Sequence, residues 1–187
     1  MKTLLIGLGV MGSNHLRVLN MLLPKNEIII YDKNQKKLDE CLKYNKISQS
    51  KNLESLLSIS SKVIIATSTN SHINLIKKCI EFGIKKIFVE KPLVKNLQES
   101  KQIIKIAKKK GVRIYVGLIE RFNSIIVPLQ TILKKEKILN LDLTRTSRVD
   151  NRNKDVDVVL DLMLHDIDIA LKFNGDIKKI FAVEANP

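Results

Sequence analysis

Short apolar runs alternate with longer stretches of mixed polarity through the first two thirds of the chain. The runs are Thr3–Ile6, Ile28–Tyr31, Val63–Ala66, Lys86–Glu90 and Arg113–Leu118, each four to six residues long and rich in Ile, Val and Leu. That length and composition predict strands buried on both faces of a sheet. Between them the apolar spacing is helical. Ser13–Leu23 is stopped by Pro24, and Gln35–Lys43 and Asn52–Leu57 follow. Ser71–Phe82 is ended by Gly83 and Leu97–Lys110 by Gly111. Strands that alternate with helices of this length make βαβ units and a parallel sheet. Residues 1–120 are therefore predicted to form a doubly wound α/β domain.

Past Arg121 the rhythm changes. A helix is expected over Ile125–Lys135, and Leu139–Val149 sets Leu139, Leu141 and Leu143 against polar neighbours, the alternation of a half-exposed strand. Asn151–Lys154 reads as a polar loop, Val156–Phe173 as a strongly apolar helix and Ile177–Ala185 as one more strand. Two strands and two helices do not close an independent core. Residues 121–187 are thus expected to be a partial second α/β domain, completed by further sheet from a partner chain or a second copy.

Composition narrows the class. Hydrophobic residues make up 44% and charged residues 28%, as in an ordinary globular protein. Cys41 and Cys79 are the only cysteines, without metal-type spacing, and point to a reducing, cytoplasmic setting with no metal site. No run of eighteen uninterrupted apolar residues occurs, so no membrane-spanning helix is expected. The net charge of +14 raises nucleic-acid binding as a possibility. The lysines are scattered over helices, however, with almost no interleaved aromatics, and read as solvated faces. The field they make favours phosphate-bearing ligands.

The chemistry is expected at the carboxyl ends of the strands, where ligands of open α/β sheets lie. Gly7-Leu8-Gly9-Val10-Met11-Gly12 follows the first strand directly. Gly7 permits a tight turn, Gly9 lets backbone approach a pyrophosphate, and Gly12 lets the helix pack close to the strand. The helix start offers free N–H groups to phosphate. Asp32 ends the second strand twenty residues past Gly12, placed to accept the adenosine ribose hydroxyls and to repel a 2′-phosphate. The cofactor implied is NAD rather than NADP. The remaining strand ends are Thr67–Asn70, Glu90-Lys91-Pro92 and Ile119-Glu120-Arg121. Lys91 follows a buried strand and is held by Pro92, so its amine is placed to exchange a proton with a substrate hydroxyl; the plain alternative is a lysine that ends a strand. On the late apolar helix Asp161, His165, Asp168 and Lys172 fall on one stripe. His165 is there either to carry a proton, with Asp161 orienting it, or as a core histidine satisfied by Asp161.

Taken together, Gly7–Gly12, Glu90-Lys91-Pro92 and Asp161-x-x-x-His165 resemble the Gfo/Idh/MocA family of nicotinamide-dependent oxidoreductases. Within it, Ile119–Asn123 and Leu160–Asp168 are most similar to the enzymes that oxidise the 3-hydroxyl of UDP-N-acetylglucosamine. The resemblance implies that Lys91, Asp161 and His165 form the catalytic group. It also implies that Thr67, Ser68, Asn70, His72, Glu90 and Lys91 surround the nicotinamide, and that Arg121 and Asn123 join Lys91, Asp161 and His165 around a sugar or nucleotide sugar. Family members are longer, with a large open sheet in the second domain, and this chain is expected to lack most of it. The alternatives are a non-catalytic NAD-binding remnant or subunit, and an inositol or other sugar dehydrogenase of the same family.

Overall fold

The computed structural model describes residues 1–44, 48–49, 52–133, 136–146 and 157–183. The chain divides into two compact units, Met1–Gly117 and Leu118–Pro187.

The first unit is built on six parallel strands: β1 (Thr3–Ile6), β2 (Ile28–Tyr31), β3 (Ser48–Gln49), β4 (Lys62–Ile65), β5 (Lys86–Val89) and β6 (Arg113–Val116). Their spatial order is β3-β2-β1-β4-β5-β6, so the winding reverses between β1 and β4. Helices α1 (Val10–Leu22), α2 (Gln35–Tyr44), α3 (Leu53–Ser58), α4 (Thr69–Glu81) and α5 (Leu97–Lys110) provide the crossovers. Alternation along β1 sorts the two cores. Leu4 and Ile6 join Ile76, Cys79 and Ile80 of α4 and Ile103 of α5 on one face, while Leu5 joins Leu16 and Leu19 of α1 and Leu38 of α2 on the other. Both faces of the sheet are thereby covered, as a parallel sheet requires.

Local chemistry sets the helix limits. Asn52 caps α3 by accepting from Glu54 N–H at 2.9 Å, and Asn96 caps α5 by accepting from Glu99 N–H at 2.9 Å. Gly111 closes α5 in the left-handed conformation at φ +62°. Two starts differ from the sequence reading. The first helix begins at Val10 rather than Ser13, because Gly9 is its N-cap. The fourth begins at Thr69 rather than Ser71, because Ser68 takes the extended N-cap position and Thr69 and Asn70 enter the first turn. Strand β3 was not expected, being only two polar residues long.

The second unit holds a 3₁₀ turn at Ile119–Phe122, α6 (Ile126–Ile132), a π-helical segment at Val159–Met163 and α7 (Leu164–Asn174). Asp157 starts this last helical stretch, its carboxylate accepting from Leu160 N–H at 2.9 Å. The strands expected over Leu139–Val149 and Ile177–Ala185 form no ladder among the described residues. A strand persists only when its N–H and C=O groups meet a neighbour. Here Leu139 and Phe181 are each 88% exposed, and neither segment pairs with a strand among the described residues. The expected loop Asn151–Lys154 and the ends Lys134–Lys135, Ser147–Val149, Val156 and Glu184–Ala185 of other predicted elements lie outside the described residues.

Candidate cofactor site

The parallel register levels the carboxyl ends of the strands. Ile6 pairs with Tyr31 and with Ile65, and Val89 pairs with Ile65 and with Val116. The next residue on each strand continues the ladder by one step: Gly7 N–H donates to Tyr31 O at 2.8 Å, Ala66 to Ile6 at 2.8 Å, Glu90 to Ile65 at 2.9 Å and Gly117 to Val89 at 2.8 Å. Asp32, Gly7, Ala66, Glu90 and Gly117 therefore stand in one row, in that order. Strand spacing of about 4.8 Å puts Asp32 and Glu90 roughly 14 Å apart along it.

Gly7 turns the chain at φ +97°, and a Cβ there would collide with the Ala66 carbonyl. A Cβ on Gly12 would overlap the Gly7 carbonyl oxygen, so the start of α1 is pressed against the turn. A Cβ on Gly9 meets nothing within 4 Å. That open ground lies at the N-terminus of a 13-residue helix whose first N–H groups lack intrahelical partners, a cradle for phosphate. Val10 and Met11, also expected beside the cofactor, are exposed on this rim at 63% and 37%.

Asp32 does more than mark the end of β2. Its Oδ2 accepts from Leu8 N–H at 2.7 Å and its Oδ1 from Asn34 N–H at 2.8 Å. The carboxylate thus braces the middle of the glycine loop, and each oxygen keeps a further lone pair for a ribose hydroxyl. Three strands along the row from Asp32, Glu90 is 6% exposed and its Oε1 lies 2.6 Å from Nε2 of His15 on α1. The edge of the His15 ring meets Phe88 with centroids 5.1 Å apart. Glu90 Oε2 accepts from Lys91 N–H at 3.3 Å, and a Cβ on Gly117 would come within 2.9 Å of it. The Lys91–Pro92 peptide is cis. Lys91 is half-buried above this floor.

The Thr67 turn is tied internally by Thr67 Oγ1 to Ser71 Oγ at 2.7 Å, and Ser71 Oγ donates to Ser68 O at 2.8 Å. Ser68 and Asn70 are exposed, whereas His72 is fully buried with both ring nitrogens on main-chain carbonyls.

Within the second unit, His165 and Asp168 are buried at 8% exposure, Asp161 is half-buried, and Lys172, one turn past Asp168 on α7, is exposed. The π-helical turn that holds Asp161 alters its offset from His165, while His165, Asp168 and Lys172 keep α-helical spacing on α7. Asp168 takes the Arg121 guanidinium bidentately, with Nε to Oδ2 at 2.6 Å and Nη2 on Oδ1. That bond to Asp168 raises the Arg121 pKa above its ordinary value. Arg145 pairs in the same way with Asp166, with Nη2 to Oδ1 at 2.9 Å, and reaches Glu120 at 3.5 Å. Asn123 donates to Glu120 at 2.9 Å and accepts from Ile125 N–H at 3.0 Å. Arg121 and Asn123, expected around a substrate, are thus also braces of the turn that enters α6. His15, Gly117, Arg145 and the Asp168 partnership went unread in the sequence. His15 carries a faint signal, one helical turn past Gly12.

Among the described residues no group of three or more His, Cys, Asp or Glu is placed to hold a metal ion, and no helix is long and apolar enough to cross a membrane.

Comparison with known proteins agrees with this construction. Residues 1–118 match the family model described as an oxidoreductase family with an NAD-binding Rossmann fold. The chain belongs to the Gfo/Idh/MocA oxidoreductase family. UDP-N-acetylglucosamine 3-dehydrogenase of Acidithiobacillus ferrooxidans is 25% identical over 176 residues, covering 94% of this chain and 55% of that protein. The chain thus spans about half the length of this relative. A crystal structure of that dehydrogenase superposes with a TM-score of 0.78 at 23% identity, over 94% of this chain and 57% of the other. The WlbA dehydrogenase of Bordetella pertussis, solved with NADH and UDP-GlcNAcA, superposes with a TM-score of 0.64 at 20% identity, over 71% and 40%. These likenesses establish the Rossmann fold, and the family that carries it here binds NAD.

Proposed function

We propose that this chain binds NAD along the Asp32–Glu90 row and serves in the oxidation of a secondary hydroxyl of a sugar, position 3 of a UDP-amino sugar being the substrate favoured. The observation that carries the proposal is the open ground over Gly9 at the start of α1, with Asp32 at one end of the row and Glu90-Lys91 at the other. The N–H groups at the start of α1 hold the pyrophosphate, and Asp32 accepts the adenosine ribose hydroxyls. Bound NAD supplies the hydride acceptor. Lys91 and His165 are proposed as the groups that take the hydroxyl proton, with Asp161 orienting His165. Likeness to UDP-N-acetylglucosamine 3-dehydrogenase over 94% of the chain supports the sugar-nucleotide substrate.

Two measurements test this. Titration with each cofactor should give a dissociation constant at least tenfold lower for NAD than for NADP, as expected when a carboxylate meets a 2′-phosphate. Equal constants would overturn the role of Asp32. Incubation with NAD and UDP-N-acetylglucosamine should produce the NADH absorbance band. NAD binding without that band would leave the cofactor site standing and favour the non-catalytic reading.

A further inference from the structure

His72 stands on the first turn of α4 with none of its surface exposed. Its ring lies between the loops that leave two adjacent strands. Nε2 is 3.1 Å from Thr67 O, after β4; Nδ1 is 3.0 Å from Pro92 O and 3.3 Å from Leu93 O, after β5. Carbonyl oxygens only accept, so each link is a hydrogen bond when the ring nitrogen there bears hydrogen. One neutral tautomer donates to Thr67, the other to Pro92 and Leu93, and the imidazolium donates to both sides.

A side chain with no exposed surface meets no ligand directly. What it fixes is the spacing of the two loops. We infer that His72 is a positioning residue, a strap that sets the Lys91–Leu93 loop against the Thr67 turn and so shapes the half of the cofactor site beyond the phosphates. The order of the row supplies the reason for that half. Adenosine belongs at Asp32 after β2 and the phosphates at the glycine loop after β1, which leaves the ends of β4 and β5 for the nicotinamide riboside. The inference rests on the NAD-binding reading and predicts a split between ligands. ADP uses Asp32 and the glycine loop alone, whereas NADH uses the strapped loops as well.

The test is titration of the full chain with ADP and with NADH, for the native sequence and for His72→Phe, His72→Asn and His72→Gln. His72→Phe keeps a ring in the core and removes both links. It should raise the NADH dissociation constant about tenfold, the size of one lost hydrogen bond, and leave that for ADP within about twofold. His72→Asn and His72→Gln, which keep a donor toward one loop, should recover part of the NADH affinity. If His72→Phe does not fold, His72→Asn carries the same comparison. Equal weakening of both ligands would make His72 a general packing residue, and unchanged NADH affinity would make the strap irrelevant; either overturns the inference. Failure of the native chain to bind ADP at all would overturn the NAD-binding reading instead, and the strap with it.

Discussion

Two glycines three residues apart make opposite demands on their surroundings. Gly9 faces open space and Gly12 is in contact with the Gly7 carbonyl. Gly9→Val should therefore leave the thermal unfolding midpoint nearly unchanged while abolishing NAD binding, because the new methyl groups occupy the ground meant for pyrophosphate. Gly12→Ala should lower the midpoint as well, since the helix must back away from β1. Calorimetry beside a cofactor titration separates the two outcomes, and an unchanged affinity in Gly9→Val would show that the loop holds no phosphate. The Glu90 carboxylate poses a different demand. His15 is its charge-capable partner in a largely enclosed place. His15→Ala should cost about 1–3 kcal/mol by urea unfolding, the range for stranding a buried polar group. A loss below a few tenths would mean that water satisfies Glu90 equally well.

At the scale of elements, most of the first unit was legible in the sequence because burial on both faces leaves an unmistakable apolar run at every central strand. Thr3–Ile6, Ile28–Tyr31 and the runs behind β4 and β5 each appeared within a residue or two; so did edge strand β6, although it is not buried on both faces as expected. The edge strand Ser48–Gln49 did not, for an edge position demands neither apolar side chains nor length. The opposite error arose at Leu139–Val149 and Ile177–Ala185. Alternation specifies a face, but only a neighbouring backbone makes a strand, and none is present among the described residues. In the site, Gly7–Gly12, Asp32 and Lys91 were legible because their spacing from strand ends is local. The His15–Glu90 pair joins residues 75 apart, and such a contact has no local signature. Helix α4 gives a prediction of its own. Cys79 faces the sheet with no exposed surface, and burial pushes its thiol up to about 12 from an ordinary 9.0. Between those values the unfolded thiol ionises and the folded one does not, so stability contributed by this group falls as pH rises from about 9 to 12. Cys41 is also raised, by burial first and then by Glu40 and Asp32. Iodoacetamide at mildly alkaline pH should modify Cys41 slowly and Cys79 only after unfolding. Rapid native modification of Cys79, read by peptide mass spectrometry, would show that α4 does not pack as described.

For the whole molecule, the roles proposed for Lys91 and His165 are tested by turnover. Lys91 belongs to the first and His165 to the second. Lys91→Ala and His165→Ala should each lower turnover by roughly a hundredfold or more, the usual size of a proton-transfer contribution. The NAD dissociation constant should move far less, since Lys91 follows β5, away from Asp32 and the glycine loop, and His165 is proposed to act on the substrate alone. A His165→Ala chain with native turnover would assign the imidazole to the interior of its own unit, as a packed and satisfied histidine. The net charge of +14 enters at this scale too, as a field that favours anions in general and weakens with salt.

The double engagement of Asp32 bears on how the site is to be re-engineered. Reversing cofactor preference ordinarily begins by exchanging this acid for a small or basic residue. Here the exchange also deletes the acceptor that restrains Leu8 N–H, so the recoded chain starts with a slack glycine loop and is expected to be handicapped toward either dinucleotide. A library built around position 32 alone samples mostly such handicapped variants. Productive designs pair each replacement at 32 with a new acceptor for Leu8, which makes the two positions a single unit of redesign.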